Sequence, residues 1–241
     1  ENLFKVGKVW GFLKYYHPEI LNGKFDWDYE LIKILPEIIS ENADINHILV
    51  NQIDKLGDFV PGSTTSNSNE IKLSSDLNWI NDSDYLGIEL SEILKDVKNS
   101  ARPKNNHYVD FVIGIGNPNF KNEKTYPDLS YNDDGIKLIS LFRYWNMIQY
   151  YFPYRNLIDE NWDEVLKIFI PKIILADDES SYKLTLLELI GKISDTHANI
   201  WSKEETIIRF WGLKAAPLDV KILNNQVVVT KIYDELDEGV D

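Results

Sequence analysis

Apolar residues near the start of the chain recur at the spacing of one helical face. Val6, Val9, Trp10 and Leu13 follow the order i, i+3, i+4, i+7, which predicts an amphipathic helix. Pro18 ends this helix, because the residue before a proline is pushed out of the α region. A polar loop follows.

Two more helices complete the first unit. The second begins at a carboxylate cap, either Asp26 or Asp28. Its apolar stripe consists of Leu31, Ile34, Leu35 and Ile38. Pro36 lies inside the stripe and predicts a bend or a new turn there. The third helix runs from a cap at Asp44 to about Leu56.

The middle of the chain has a different pattern. Residues 61–69 are rich in Ser, Thr and Asn and predict an exposed loop. Residues 90–97 predict a short helix. Tyr108 to Ile115 is rich in β-branched residues and predicts a strand, whereas residues 117–134 have the composition of a loop.

The helical pattern then returns. Residues 3–39 align without a gap onto 138–174 at a constant offset of 135, with 11 identities in 37 positions. Unrelated sequences would share roughly two. The identical pairs are Leu3/Leu138, Trp10/Trp145, Tyr15/Tyr150, Tyr16/Tyr151, Pro18/Pro153, Trp27/Trp162, Asp28/Asp163, Leu31/Leu166, Pro36/Pro171, Ile38/Ile173 and Ile39/Ile174. The Trp pairs are expected in the core, and the repeated Asp as a carboxylate favoured by the helix N-terminus. We therefore expect a duplicated helical unit.

The predicted fold is mainly α, with two related three-helix subdomains and a small β insertion. The second copy is predicted to have helices at about 136–152, 161–175 and 181–193. After it, strands at 218–223 and 226–232 flank an Asn-Asn turn and predict a β-hairpin. The domains are expected at residues 1–60 (first copy), 61–135 (insertion), 136–205 (second copy) and 206–241 (hairpin unit).

Composition excludes several functions. The net charge of −14 disfavours binding to nucleic acid or to an anionic membrane, since both require cationic side chains. The longest apolar stretch, about residues 109–115, is far shorter than the ~20 residues that span a bilayer. The absence of Cys excludes disulfides, thiolate nucleophiles and Cys-ligated zinc. The His spacing matches no metal motif, and no cofactor loop is present.

The two copies differ at the end of the third helix. With an offset of 137 there, His197 stands where the first copy has Val60. Histidine is the usual general base near neutral pH, and Asp195 could orient it. A polar helix terminus, with the imidazole beside the last carbonyls, is the alternative interpretation. Structural or solvated roles are expected for the remaining histidines, which are His17, His47 and His107.

These motifs together resemble a known family. The quoted elements are Tyr144-Trp145, Tyr151-Phe152-Pro153, Asn161-Trp162-Asp163, Pro171, Leu187, Ile190 and Asp195-Thr196-His197-Ala198. They resemble the helical domain that precedes the PDZ domain in tricorn-core-type and C-terminal-processing serine peptidases. Residues 10–58 are similar to a second such helical domain, and residues 217–232 to the opening strands of the PDZ domain. Residues 117–123 resemble exported bacterial members.

The resemblance implies the non-catalytic N-terminal portion of a serine-type endopeptidase. In tricorn-type members, the His of this motif is the general base for a Ser from a later α/β domain. That role falls on His197, with Asp195 as a possible orienter. Other members use a Lys base from the catalytic domain, and the sequence leaves both arrangements open. The chain alone is expected to be inactive. Its parent is expected to cleave peptide or protein substrates and to be exported, to the periplasm or cell envelope.

Two other functions are considered. One is a non-catalytic helical-repeat module that binds a protein or peptide partner. The other is a secreted glycan-binding scaffold, which requires several Trp side chains exposed in one patch; the helical spacing argues against it. No oligomeric state is predicted from the sequence.

Overall fold

The computed structural model describes residues 1–60, 75–103, 105–126, 131–200 and 205–233. The chain divides into two compact units, Glu1–Asn199 and Ile200–Asp241. The described residues are mainly helical and include two separate two-stranded antiparallel sheets. The predicted fold class is therefore confirmed as a mainly α chain with small β-hairpins.

The helices are α1 Asn2–Tyr16, α2 Pro18–Leu21, α3 Trp27–Ile38, α4 Ile45–Asp54, α5 Ser83–Leu86, α6 Ile88–Asn99, α7 Asp134–Tyr151, α8 Trp162–Ile174, α9 Glu179–Gly191 and α10 Glu205–Trp211. Two 3₁₀ turns lie at Asn78–Asn81 and Arg155–Leu157. The strands are β1 Val109–Phe111, β2 Pro118–Phe120, β3 Leu218–Leu223 and β4 Gln226–Ile232.

Side-chain caps fix where the main helices begin. Asp26 accepts a hydrogen bond from the Tyr29 N–H at the start of α3, and Asp44 accepts one from the His47 N–H at the start of α4. Each such cap satisfies a backbone donor that the helix itself leaves unpaired. Pro36 does not start a new turn, because α3 continues through it to Ile38. It lies in the last turn, so it removes one backbone hydrogen bond but affects only the end of the helix.

Each copy contains a reciprocal pair of indole hydrogen bonds. Trp10 Nε1 donates to the Trp27 carbonyl at 3.0 Å, and Trp27 Nε1 donates to the Trp10 carbonyl at 2.9 Å. Trp145 and Trp162 exchange the same two bonds at 2.7 and 3.1 Å. All four side chains are buried, as predicted. The bonds join the first helix of each copy to the start of its second helix.

Helices α1 and α7 contact each other at equivalent positions. Gly7 lies against the ring of Phe142, and Gly11 against the amide of Asn146; both pairs are 135 residues apart. A Cβ on Gly11 would lie 1.9 Å from Asn146 Cγ. Asn146 Nδ2 donates to the Gly7 carbonyl at 3.0 Å. The two glycines therefore admit larger side chains from α7 at the closest approach of the two helices.

Ring contacts near the ends of α1 and α7 show that the two helices run in the same direction. The Tyr15 and Tyr150 rings, also 135 residues apart, have centroids 5.9 Å apart. Tyr15 also contacts Tyr151, and the symmetry-equivalent pair, Tyr16 and Tyr150, makes the same contact. Three successive contacts therefore join residues at equivalent positions of the two helices, which requires α1 and α7 to be parallel. The copies are thus related by a pseudo-twofold axis that runs along this helix pair.

Ion pairs between the copies follow the same symmetry. Lys8 Nζ lies 2.8 Å from Asp163 Oδ2. The equivalent residues, Arg143 and Asp28, also form an ion pair. Each copy therefore contributes one cation and one carboxylate to the contact between them.

The insertion forms a hairpin that the sequence predicts only in part. The strand expected over Tyr108 to Ile115 is confined to Val109–Phe111, and Pro118–Phe120, expected as loop, is its antiparallel partner. Gly114 and Gly116 have φ near +80°, which turns the chain before the strand can continue. The segment expected as a loop at 61–69 lies outside the described residues.

The second unit contains α10 and a hairpin of β3 and β4. The strand boundaries agree with the prediction. Asn224 and Asn225 have φ of 50° and 61°, as the two central residues of a type I′ turn require. Asn reaches this conformation more readily than most residues, so the sequence determines the position of this turn.

Candidate functional site

His197 lies in an exposed turn after α9, at the end of the first unit. Its side chain is 92% exposed. The His197 N–H donates to Asp195 Oδ1 at 2.8 Å, and Nδ1 lies 3.4 Å from the same oxygen. The structure therefore brings the two predicted residues together. This contact can orient an imidazole, and it is also a common way for Asp to stabilise a turn.

A partly buried tyrosine, Tyr144, lies beside this turn. The Tyr144 hydroxyl is within 3.5 Å of the Ile190 carbonyl at the end of α9. Burial, followed by the charge of Asp195, raises the pKa of the Tyr144 hydroxyl, so it stays protonated at neutral pH. At the position in the first copy that is equivalent to His197, the side chain of Val60 is 75% exposed and offers no proton acceptor.

A cluster of four charges lies inside the first unit, two of them buried (Lys14 and Asp28) and two partly buried (Glu123 and Arg143). Lys14 Nζ is 2.8 Å from Glu123 Oε2 and 3.7 Å from Asp28 Oδ1. Arg143 bonds to Asp28 and has Nε 2.9 Å from Glu123 Oε2. The Tyr126 hydroxyl donates to Asp28 Oδ2 at 2.9 Å. Two cations and two carboxylates balance, which makes burial of the cluster tolerable.

The cluster joins the insertion to both helical copies. Its cations come from α1 and α7, Asp28 comes from α3, and Glu123 follows β2. Burial lowers the pKa of Lys14 although Glu123 and Asp28 act in the opposite direction. The pKa of Arg143 is raised, because Asp28 and Glu123 outweigh the effect of burial.

Asp28 has the predicted position at a helix N-terminus and a further role that was not predicted. It lies in the first turn of α3, but it is buried and paired with Arg143 instead of merely facing a helix dipole. The sequence signal for this ion pair was the repetition of Asp28 as Asp163. In the structure each of these carboxylates pairs with a cation of the other copy. Glu123 has no comparable signal, since it lies in a segment with a loop composition.

A small polar pocket lies beside Asp28. Its volume is about 210 Å³ and its lining is Gly23, Lys24, Phe25, Asp26, Asp28, His107, Tyr108, Asn122 and Lys124. A Cβ on Gly23 would lie 2.5 Å from His107 Nδ1, so the pocket requires glycine there. Two Lys and two Asp side chains balance, and the pocket has no preference for one sign of charge.

The other histidines occupy structural or solvated positions. His17 is fully buried, and its Nδ1 accepts a hydrogen bond from the Glu19 N–H at 3.3 Å, which caps α2. Burial lowers the pKa of His17 to about 4, so this ring is neutral. His47 is exposed in the first turn of α4. The carbonyl of His107 accepts a bond from Asn122 at 2.7 Å.

The described residues do not reveal a metal centre or a glycan platform. Within the described ranges, no three His, Asp or Glu side chains are grouped to bind a metal ion. In the same part of the chain, no helix has the length and apolarity needed to cross a bilayer. The four Trp of the repeat are buried, which removes them from any carbohydrate-binding patch.

Comparison with known proteins identifies no relative. No protein-family model matches the chain, and neither a curated protein nor a solved structure matches it. The site must therefore be interpreted from its own geometry.

Proposed function

We propose that this chain is the non-catalytic N-terminal portion of a serine peptidase of the C-terminal-processing or tricorn type. One observation carries the proposal. The two copies share their helix order, their indole bonds and their ion pairs, whereas the turn after the third helix has an exposed imidazole only in the second copy. The imidazole lies in an exposed turn, where packing does not require it, so its presence in one copy alone supports a functional role.

In this proposal His197 is the general base for a serine supplied by a catalytic domain outside these 241 residues. Asp195 beside Nδ1 favours the tautomer with its proton on Nδ1, and the basic nitrogen is then Nε2. Nε2 takes the serine proton as the hydroxyl attacks the peptide carbonyl, and it returns that proton to the leaving amine. The exposure of the ring gives a second domain access to it.

The second unit has a matching role in the proposal. Its hairpin of β3 and β4 begins a PDZ-like domain, and an extended substrate tail adds to an open strand edge there. The occurrence of two strands joined by a tight Asn-Asn turn supports this assignment. The peptidase is exported and acts on peptide or protein substrates in the cell envelope.

The test is peptide hydrolysis by the longer protein that contains this segment and its catalytic domain. The expected effect of His197→Ala is a fall in kcat of about 10⁶-fold, the cost of losing the base of a catalytic triad. The fold should be unchanged, because the side chain is 92% exposed. His47→Ala is the matched control, since it removes another exposed histidine of the same chain, and it should keep full activity.

Three outcomes separate the proposal from its rivals. Normal hydrolysis by His197→Ala would place the base in the catalytic domain, as in the Lys-dependent members. Absence of hydrolysis by every form, the wild type included, would favour the binding module. Turnover by the isolated 241-residue chain would contradict the assignment of a non-catalytic portion.

A further inference from the structure

The hairpin of β1 and β2 ends in an apolar tip that the proposed function does not use. The tip, residues 111–116, carries large side chains in open solvent. Their exposed fractions are 56% for Phe111, 43% for Val112, 98% for Ile113 and 70% for Ile115. Contiguous apolar exposure of this kind usually marks an interaction surface.

The tip stands on a rigid base. Tyr108 and Val109 at the start of β1 are buried, and the Phe120 ring contacts Tyr151 with centroids 5.4 Å apart. The Lys121 N–H donates to the Tyr108 carbonyl at 2.9 Å. The base of the hairpin is therefore part of the core, and its position does not depend on the tip.

The turn itself is also ordered by backbone hydrogen bonds. The Val112 N–H donates to the Asn117 carbonyl at 2.9 Å, and the Gly116 N–H to the Val112 carbonyl at 2.8 Å. A Cβ on Gly114 or on Gly116 would meet nothing within 4 Å. The glycines therefore serve the turn and not packing, and the apolar side chains project from a preformed convex loop.

Area and composition argue against a protein partner. The four side chains offer roughly 400 Å², taking about 100 Å² for each buried apolar side chain, whereas a stable protein interface needs about 800 Å² per partner. Protein hot spots are rich in Trp, Tyr and Arg, which are absent from the tip. A second copy is disfavoured further, because each chain has a net charge of −14.

The uncharged sequence of the tip and its distance from the nearest charged residues favour lipid with neutral headgroups as the partner. Between Asp110 and Lys121 the sequence has no charged residue, and these two residues form an ion pair of 3.2 Å at the base. Ile113 lies in the turn three residues beyond Asp110, so it reaches at most about 10 Å past Asp110, the length of three extended residues. Interfacial segments insert their apolar face to a depth of about 5–10 Å. The negative chain would be repelled by an anionic surface.

We propose that the hairpin tip inserts into the surface of a bilayer with zwitterionic headgroups and holds the first unit there. The insertion is shallow, with the ion pair of Asp110 and Lys121 at the level of the headgroups. This inference is independent of the role proposed for His197, because it depends on different residues and needs no catalytic domain.

The absence of Cys in the chain allows a direct test. Ile113→Cys labelled with the fluorophore NBD should show a blue shift and at least a twofold rise in emission with phosphatidylcholine vesicles. Leu175→Cys, 78% exposed on the first unit, and Ile222→Cys, 75% exposed on the second hairpin, are matched controls. Their NBD emission should not change, since neither residue belongs to the tip.

Vesicle flotation of the whole chain gives the second readout. Ile113→Asp should lower the bound fraction at least fivefold, whereas Leu175→Asp should leave it unchanged. Both variants should keep the wild-type circular dichroism spectrum, because both side chains are exposed. An NBD signal at Ile113 that does not respond to phosphatidylcholine would overturn the proposal and leave a protein partner for the tip. Binding to anionic vesicles alone, or equal binding by Ile113→Asp, would also overturn it.

Discussion

At the scale of single residues, the contact between α1 and α7 depends on the absence of two side chains. Gly7 and Gly11 face Phe142 and Asn146, and Asn146 donates hydrogen bonds to two carbonyls, those of Gly7 and Phe142. The amide therefore joins two helices at a place where only hydrogen on Cα allows them to approach. The stability of the first unit should be sensitive to the smallest possible change here.

Gly11→Ala is expected to destabilise the chain by about 2–3 kcal/mol, the cost of overpacking a filled core. The new methyl group would collide with Asn146. Gly191→Ala is the matched control in α9, where a Cβ meets nothing within 4 Å, and it should be neutral or slightly stabilising. Urea unfolding measures both. Equal free energies of unfolding for the two variants would contradict the close approach of α1 and α7.

His17 should make the stability of the chain depend on pH. Burial lowers its pKa to about 4, whereas an unfolded chain has a histidine pKa of about 6.5. Between these values the unfolded state binds more protons, so the free energy of unfolding should fall as the pH decreases from 6.5 to 4. The contribution of one proton is at most about 1.4 kcal/mol per pH unit.

His17→Asn keeps a side-chain acceptor at the cap of α2 and cannot titrate. The difference in slope between this variant and the wild type isolates the contribution of His17 from those of the carboxylates. His47→Asn, at an exposed histidine, should leave the slope unchanged. Parallel slopes for the wild type and His17→Asn would show that His17 is not buried in its neutral form.

At the scale of elements, the sequence predicts where the helices lie along the chain better than it predicts which other elements pack on them. The periodicity places α1, α3 and α4 correctly, because apolar spacing and Asp caps are local signals. It assigns α1 a single apolar face. In the structure α1 is buried nearly all round, since Lys8 pairs with Asp163 of α8 and Lys14 pairs with Glu123 of the insertion. Long-range pairing of this kind leaves no local pattern.

The candidate site was predictable to a similar degree. The alignment of the copies located His197, because it stands where the first copy has Val60, and Asp195 was selected because it lies two residues before His197. The cluster around Lys14 could not be predicted, since Glu123 reaches it from a segment with no periodic pattern. A lysine on a helix is ordinarily solvated, and only the fold shows that this one is buried.

The indole bonds should contribute equally in the two copies. Trp27→Phe and Trp162→Phe each remove one indole donor and leave a smaller ring in a buried site. We expect each to cost about 2 kcal/mol, with the two values within about 0.5 kcal/mol of each other. Trp211→Phe, at a residue that is 71% exposed, should have little effect. Thermal or urea unfolding would contradict the equivalence if only one of the buried variants were destabilised.

The cluster around Lys14 should hold the insertion in place. Glu123→Gln removes the carboxylate that is 2.8 Å from Lys14, and we expect a loss of about 3 kcal/mol because a buried cation is left poorly compensated. Asp110→Asn, which breaks the exposed ion pair with Lys121, should cost less than about 1 kcal/mol. Amide hydrogen exchange in β1 and β2 should rise in Glu123→Gln alone. Unchanged protection there would assign the cluster a role other than anchoring the insertion.

At the scale of the whole molecule, the first unit is arranged like a two-fold dimer within one chain. Equivalent residues meet along α1 and α7, and equivalent ion pairs flank them. Such symmetry is typical of two copies that pack on the same surface. The departures from symmetry are then informative. The glycines opposite larger side chains adjust packing, whereas His197 in place of Val60 puts an imidazole in an exposed turn.

The proposed role of His197 is tested most directly by chemical rescue in the longer protein with its catalytic domain. His197→Gly removes the imidazole from a site that is 92% exposed, so imidazole added to the solution can reach the vacated position. The account predicts that peptide hydrolysis is lost in His197→Gly and is partly restored as imidazole is added, while His47→Gly neither loses activity nor responds. Full hydrolysis by His197→Gly without imidazole would contradict the account.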